Sequence, residues 1–132
     1  MTLLNRSVPA ALVAAAALAL PASAPAGVMT ETAGSVKAVL HAPNHSPTVN
    51  QKWWITIDVT RGKTELGGRV RYQFVLGGAV VGKQPGHSFA GGHYRDWLKF
   101  PAQSVGIKLT LQTIVKTKYG TVTLPWTVTT TT

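Results

Sequence analysis

The sequence predicts an all-β protein, an antiparallel sandwich of about seven short strands, and two observations carry that prediction. The first is residues 59–81, VTRGKTELGGRVRYQFVLGGAVV, where an apolar strand ends in a polar turn and resumes as a long alternating strand before Gly77-Gly78. In it Val70, Tyr72, Phe74 and Leu76 share one face, and Arg69, Arg71 and Gln73 share the other, as a half-buried strand requires. A Gly-Gly pair between two alternating runs is a hairpin signal. The second observation is that nothing after residue 26 holds a helical period, while turn residues recur between short alternating runs. At 132 residues, 45% of them hydrophobic, the chain suffices for one core and not for two. Cysteine is absent, so neither a disulfide nor a thiolate metal site is available and stability rests on packing.

Residues 1–26 read as a signal peptide. Arg6 and the free amine form a short positive region, and the Ala/Leu/Val run at 8–20 falls short of the ~20 residues of a membrane span. Of two small-residue sites, Ala22-Ser23-Ala24 would leave Pro25 just after the cut, where a rigid residue without an N–H suits a peptidase badly. Cleavage is therefore expected after Ala26, giving a secreted or envelope-associated protein.

The remaining elements follow in order. Residues 27–34 are polar and aperiodic and are expected to be a mobile lead-in. A strand at 35–41 turns Val36 and Leu40 inward, and residues 42–50, with their prolines and asparagines, cross between sheets. At 53–60, Trp53, Ile55, Ile57 and Val59 point inward while Trp54, Thr56, Asp58 and Thr60 point outward. Beyond the central strand, 79–83 is expected as a short edge strand and 85–92 as a Gly-rich loop. Leu98 and Phe100 then face inward from a strand at 94–100 that shows Arg95, Trp97 and Lys99 to solvent. In the last hairpin, Ile107, Leu109, Leu111, Thr113 and Val115 oppose Val122, Leu124, Trp126 and Val128. Pro125 marks its second strand as an edge, and residues 130–132 are expected to be a disordered tail after a domain spanning 35–129.

The run WITIDVTRGKTELGGRVRYQF resembles the strand-turn-strand of bacterial immunoglobulin-like and fibronectin-III-like modules, with Val70, Tyr72 and Phe74 as the alternating V-x-Y-x-F strand. The resemblance implies an immunoglobulin-like sandwich and a non-enzymatic secreted or surface module used for adhesion, spacing or ligand contact. The cysteine pair of antibody domains is missing. Tyr119 lies in the last hairpin rather than at the corner before it.

Two surfaces emerge as candidate sites. The net charge is +9, or +8 once Arg6 is removed with the signal peptide, and Arg69, Arg71, Lys108 and Lys116 are expected to form a basic plate for an anionic cell-envelope polymer or lipid surface. Trp54 and Trp97, with Arg95 and Lys99 beside them, are expected to form an aromatic patch, which suits a carbohydrate or a protein partner. The histidine pairs His41/His45 and His87/His93 are the candidates for a metal ion, the alternative in which the protein is a small metal carrier or enzyme. Gly86-His87-Ser88-Phe89-Ala90 has part of a nucleophile-elbow pattern, with His93 and Asp96 close in sequence, but lacks its second glycine and its strand-to-helix context. Gly77, Gly78 and Gly82 precede no helix start, so they are a hairpin and not a phosphate loop. Glu31, Asp58, Glu65 and Asp96 fall on separate elements, without the pairing of an acid and a base. No cofactor is expected. Export and the absence of an aromatic-basic RNA motif argue against nucleic acid as a partner. Intact-mass measurement of the exported protein should return a chain beginning at Gly27; retention of residues 1–26 would refute the assignment of the leader.

Overall fold

The structure, a computed structural model, describes residues 27–132; the expected signal peptide lies outside the described residues. Nine strands build it: β1 (Gly27–Ala33), β2 (Val36–Ala42), β3 (Trp53–Arg61), β4 (Thr64–Glu65), β5 (Gly68–Leu76), β6 (Ala79–Phe89), β7 (His93–Leu98), β8 (Lys108–Thr117) and β9 (Gly120–Thr129). One antiparallel sheet has the order β1-β2-β3, with β7 and the two-residue β4 successive along the far side of β3; the other has the order β6-β5-β8-β9. The β2-β3-β7 and β6-β5-β8-β9 orders correspond to the A-B-E and C′-C-F-G orders of an immunoglobulin-like sandwich, with an added strand β1 before the first. A 3₁₀ turn, Ala102–Ser104, lies in the β7–β8 crossing.

Period-2 alternation places the core. Val36, Ala38, Leu40, Ile55, Ile57 and Val59 from one sheet meet Val70, Tyr72, Leu111, Val115, Val122 and Leu124 from the other, all buried. Burial of each large side chain contributes roughly 1.5–3 kcal/mol. Phe100, just past the end of β7, packs edge-on against Trp53 and Phe74, with ring centroids 5.8 and 5.5 Å away. At the β5–β6 hairpin both central glycines have positive φ, 59° and 85°, as a type I′ turn requires.

Four expectations are corrected. Residues 27–34 are no mobile lead-in: β1 pairs with β2 along its whole length, through a hairpin whose Gly34 has φ 60°. Its inner face sets Met29 and Ala33 against the core but also carries Gly27 and Glu31, while Val28 is exposed on the outer face, so the apolar face is a weak signal. Of the expected loop 85–92, only 90–92 form the turn to β7; residues 85–89 are the second half of β6, an eleven-residue edge strand. A bulge sets Pro85 and Gly86 against Arg71 alone, and a second leaves Val81 unpaired, so the proline costs no ladder bond. Residues 130–132 are no disordered tail, because Thr130 is buried and bridges Val105, and Thr131 bridges Thr48. Lastly, Leu76 and Ile107 lie on the expected inner faces but beyond the core, 44% and 40% exposed.

Thr113 is the one misfit on the inner face of β8. Its side chain is fully buried opposite Tyr72 and Leu124, and its hydroxyl is the only buried side-chain polar atom without a hydrogen-bond partner among the described residues. Exchanging an unpaired buried hydroxyl for a methyl removes a desolvation cost of about 1–3 kcal/mol. Thr113→Val should raise the stability measured by denaturant unfolding by ~1 kcal/mol, and an unchanged or lower midpoint would refute the register of β8.

Candidate functional site

The outer face of the four-stranded sheet holds three of the four expected cations together. Arg69 lies directly across from Lys116, and Arg71 across from Ile114. Arg69, Arg71 and Lys116 rim a concavity of about 230 Å³ in which Ile114 is buried. Gly86, in the bulge, leaves room for the guanidinium of Arg69: a Cβ there would stand 3.0 Å from Nη2. Arg69 Nη1 also donates to Ser88 Oγ at 3.2 Å. Lys108 does not join them. It pairs with Thr129 at the opposite end of β8, some eight residues or about 27 Å along the strand. Its place in the middle of the face is taken by Lys83, opposite Gln73, which alternation across the β6 bulges did not reveal. Gln73 in turn donates to Gln112 Oε1 at 2.6 Å.

All four carboxylates of the chain, Glu31, Asp58, Glu65 and Asp96, lie on the five-stranded sheet, so the four-stranded sheet carries none. Among the described residues the only ion pairs of a carboxylate are the contacts of Asp58 with His41 and His93. The cations of the plate are therefore without internal counter-charge.

On the other sheet Trp54 and Trp97 are a directly opposed cross-strand pair on β3 and β7, 38% and 39% exposed. Alternation placed both rings outward, and the strand order sets them side by side. Cations cover them: the Arg95 guanidinium lies 3.9 Å from the Trp54 ring centroid, and Lys52 Nζ lies 4.9 Å from that of Trp97. Lys99, expected here, instead lines a cleft on the flank of the sandwich. Lys52 takes its part, a residue whose parity with Trp54 was the available signal. Beside Trp54 opens a hollow of about 330 Å³ lined by Asn44, Thr48, Gln51 and Lys52 among others.

The expected histidine pairs do not form. His41 and His93, on strands that flank β3, both contact the Asp58 carboxylate, His41 Nε2 at 3.1 Å and His93 Nδ1 at 2.7 Å. His45 stacks on Trp126 at 4.0 Å with an interplanar angle of 5°, and His87 stacks against Tyr94. Among the described residues no group of three His, Asp or Glu side chains is placed to hold a metal ion. The elbow-like residues also separate: Ser88 faces outward beside Arg69, whereas Asp96 faces inward and accepts a hydrogen bond from the Tyr72 hydroxyl at 2.9 Å.

With this geometry in place the chain was compared with known proteins. No protein-family model, curated protein or solved structure matches it. The reading of function rests on the surfaces themselves.

The Tyr72–Asp96 pair has a measurable consequence. Burial first, and then the charge and hydrogen bonding of Asp96, hold the Tyr72 phenol protonated far above its ordinary range. A pKa raised by folding contributes stability that is complete below the unfolded value, about 10, and is lost as pH rises above it. The parent should lose stability above pH ~10 by about 1.4 kcal/mol per pH unit more than Tyr72→Phe does. Near pH 7 Tyr72→Phe should cost about 1–2 kcal/mol, the hydrogen bond to Asp96. Parallel pH profiles for the two proteins would refute the burial of this phenol.

Proposed function

We propose that the protein is a non-enzymatic, exported binding module that holds anionic polymer of the cell envelope against its four-stranded sheet. The observation that carries this reading is the convergence of Arg69, Arg71 and Lys116 around one concavity on a sheet without a carboxylate. Neighbouring like charges on paired strands repel one another, and a polyanion threading across them removes the repulsion and releases its own counterions. The flat remainder of the face, with Thr121, Thr123, Thr127 and Thr129 exposed along β9, offers hydroxyls and no shaped pocket. That suits a repeating polymer bound through charge. The N-terminal leader supplies the route to the envelope.

A second reading takes the Trp54–Trp97 pair as a contact for acidic sugars. Lys52 and Arg95 over the rings favour a charged saccharide above a neutral one. Quenching of tryptophan fluorescence by a uronic-acid oligosaccharide, and not by its neutral counterpart, would support it.

Retention on anionic wall polymer across a salt series tests the first reading. With three cations engaged, affinity should fall by roughly tenfold to a hundredfold between about 50 and 200 mM salt. Arg71→Glu with Lys116→Glu should lower retention at low salt at least tenfold for every polyanion tried, because a summed field and not a fitted contact is removed. Equal retention of parent and variant would leave the plate a solvated face.

A further inference from the structure

The flank of the sandwich between edge strand β6 and the segment leaving β7 holds a slot that shares only Lys83 with the polymer surface. Phe74, Phe100 and Leu109, three buried core residues, reach it from inside, Val81 borders it, and Lys83 and Lys99 stand at its edge, both exposed. No carboxylate is among its lining residues. The slot exists because β6 has no side chain at Gly82, the residue paired with Phe74. Its volume is about 260 Å³, somewhat below the ~300–1,000 Å³ of sites for drug-sized ligands. Such a space suits one unbranched chain.

We propose that this slot binds a single-chain aliphatic anion, of the class of a fatty-acid carboxylate or an alkyl phosphate, with its chain on Phe74, Phe100 and Leu109 and its head between Lys83 and Lys99. The apolar floor supplies the driving force, at about 25 cal/mol per Å² removed from water. The two ammonium groups select charge, and because they stay in solvent at the edge, pairing with them needs no full desolvation. Leu76, Val80 and Ile107, exposed around the same end of the sheet, extend the apolar surface for a chain longer than the slot. They cluster there because β5 ends, β6 begins and β8 is entered at that end.

Gly82 provides the decisive variant. It does not have positive φ, and a Cβ there would meet only Phe74 Cδ2 at 3.5 Å, an ordinary contact, so a larger residue fills the slot without backbone strain. Calorimetric titration of the mature protein with decanoate below its micellar concentration should show saturable binding of one molecule, with octanoate, two methylenes shorter, about fifteenfold weaker, and decanol at least tenfold weaker. Gly82→Leu should abolish decanoate binding while keeping the parent's unfolding midpoint. Lys83→Glu with Lys99→Glu, both at the surface, should weaken decanoate at least tenfold and leave decanol unchanged; this pair carries the test if Gly82→Leu proves unstable. Phosphatidylglycerol vesicles distinguish the source of the chain: capture that Gly82→Leu removes assigns a bilayer lipid, and decanoate binding without capture assigns a free amphiphile. The proposal is overturned by the absence of saturable heat with the parent, by decanol binding as tightly as decanoate, or by a folded Gly82→Leu that still binds. Gly82→Leu leaves every cation of the plate in place, and Arg71 and Lys116 lie outside the slot, so either result stands without the other.

Discussion

Two buried indole N–H groups, one in each sheet, both find their acceptor in Asn44, and the register of the sandwich depends on that meeting. Trp53 Nε1 donates to the Asn44 side-chain oxygen at 3.1 Å, and Trp126 Nε1 donates to its backbone carbonyl at 3.0 Å. A buried Trp without a partner for its N–H would cost more than its hydrogen bond returns in water, so both rings are committed to this one residue. The same side-chain oxygen accepts from Ser46 N, and the neighbouring His45 lies flat on Trp126 with its Nδ1 2.6 Å from the Thr127 carbonyl. The loop between β2 and β3 thus works as a clamp across the two sheets. In a chain without cysteine it does part of what an inter-sheet disulfide does in antibody domains. The C-terminal residues belong to the same junction, since Val49 N donates to the Thr131 carbonyl and Thr131 N to that of Pro47.

The sequence made the interior legible, and the periphery less so, for a physical reason. Alternation reports which face of a strand is apolar, so Ile55, Ile57, Val70, Tyr72, Phe74, Leu111, Leu124 and Trp126 were placed correctly from their neighbours alone. The inner face of β1 sets Gly27 and Glu31 between Met29 and Ala33, so it reports weakly. β6 contains Pro85 and two bulges, each of which resets the alternation, so its second half read as a loop and Lys83 was lost to the plate. The tail of threonines carries no apolar signal at all, and its order comes from backbone bonds to loops remote in sequence. Of the sites, Trp54 and Trp97 were found together because strand order and parity suffice for a cross-strand pair. The His41–Asp58–His93 cluster needed three strands in register, which parity within one strand does not supply.

Segregation of charge divides the molecule into unlike halves. Every carboxylate lies on the sheet that also carries Trp54, Trp97, His41 and His93, and several cations there are engaged: Arg95 with Trp54, Lys52 with Trp97, and Arg61 with Tyr119 at 4.2 Å. The polar groups on the outer face of the opposite sheet are cations, hydroxyls and amides. The field of such a molecule is a dipole across the thickness of the sandwich added to its net charge, and it orients the four-stranded sheet toward any negative surface before contact.

The bulged edge strand has a consequence for crowding. Wherever copies of a chain meet at high local density, an exposed flat edge would template the addition of strands from neighbouring chains. Among the described residues no strand pairs with the outer edge of β6 along its eleven residues, yet Pro85 withholds one donor and the kinks at Val81 and Gly86 break its straight runs into short lengths. Irregularities that hid this strand from sequence pattern are thus also what keeps its edge from serving as a template for further strands.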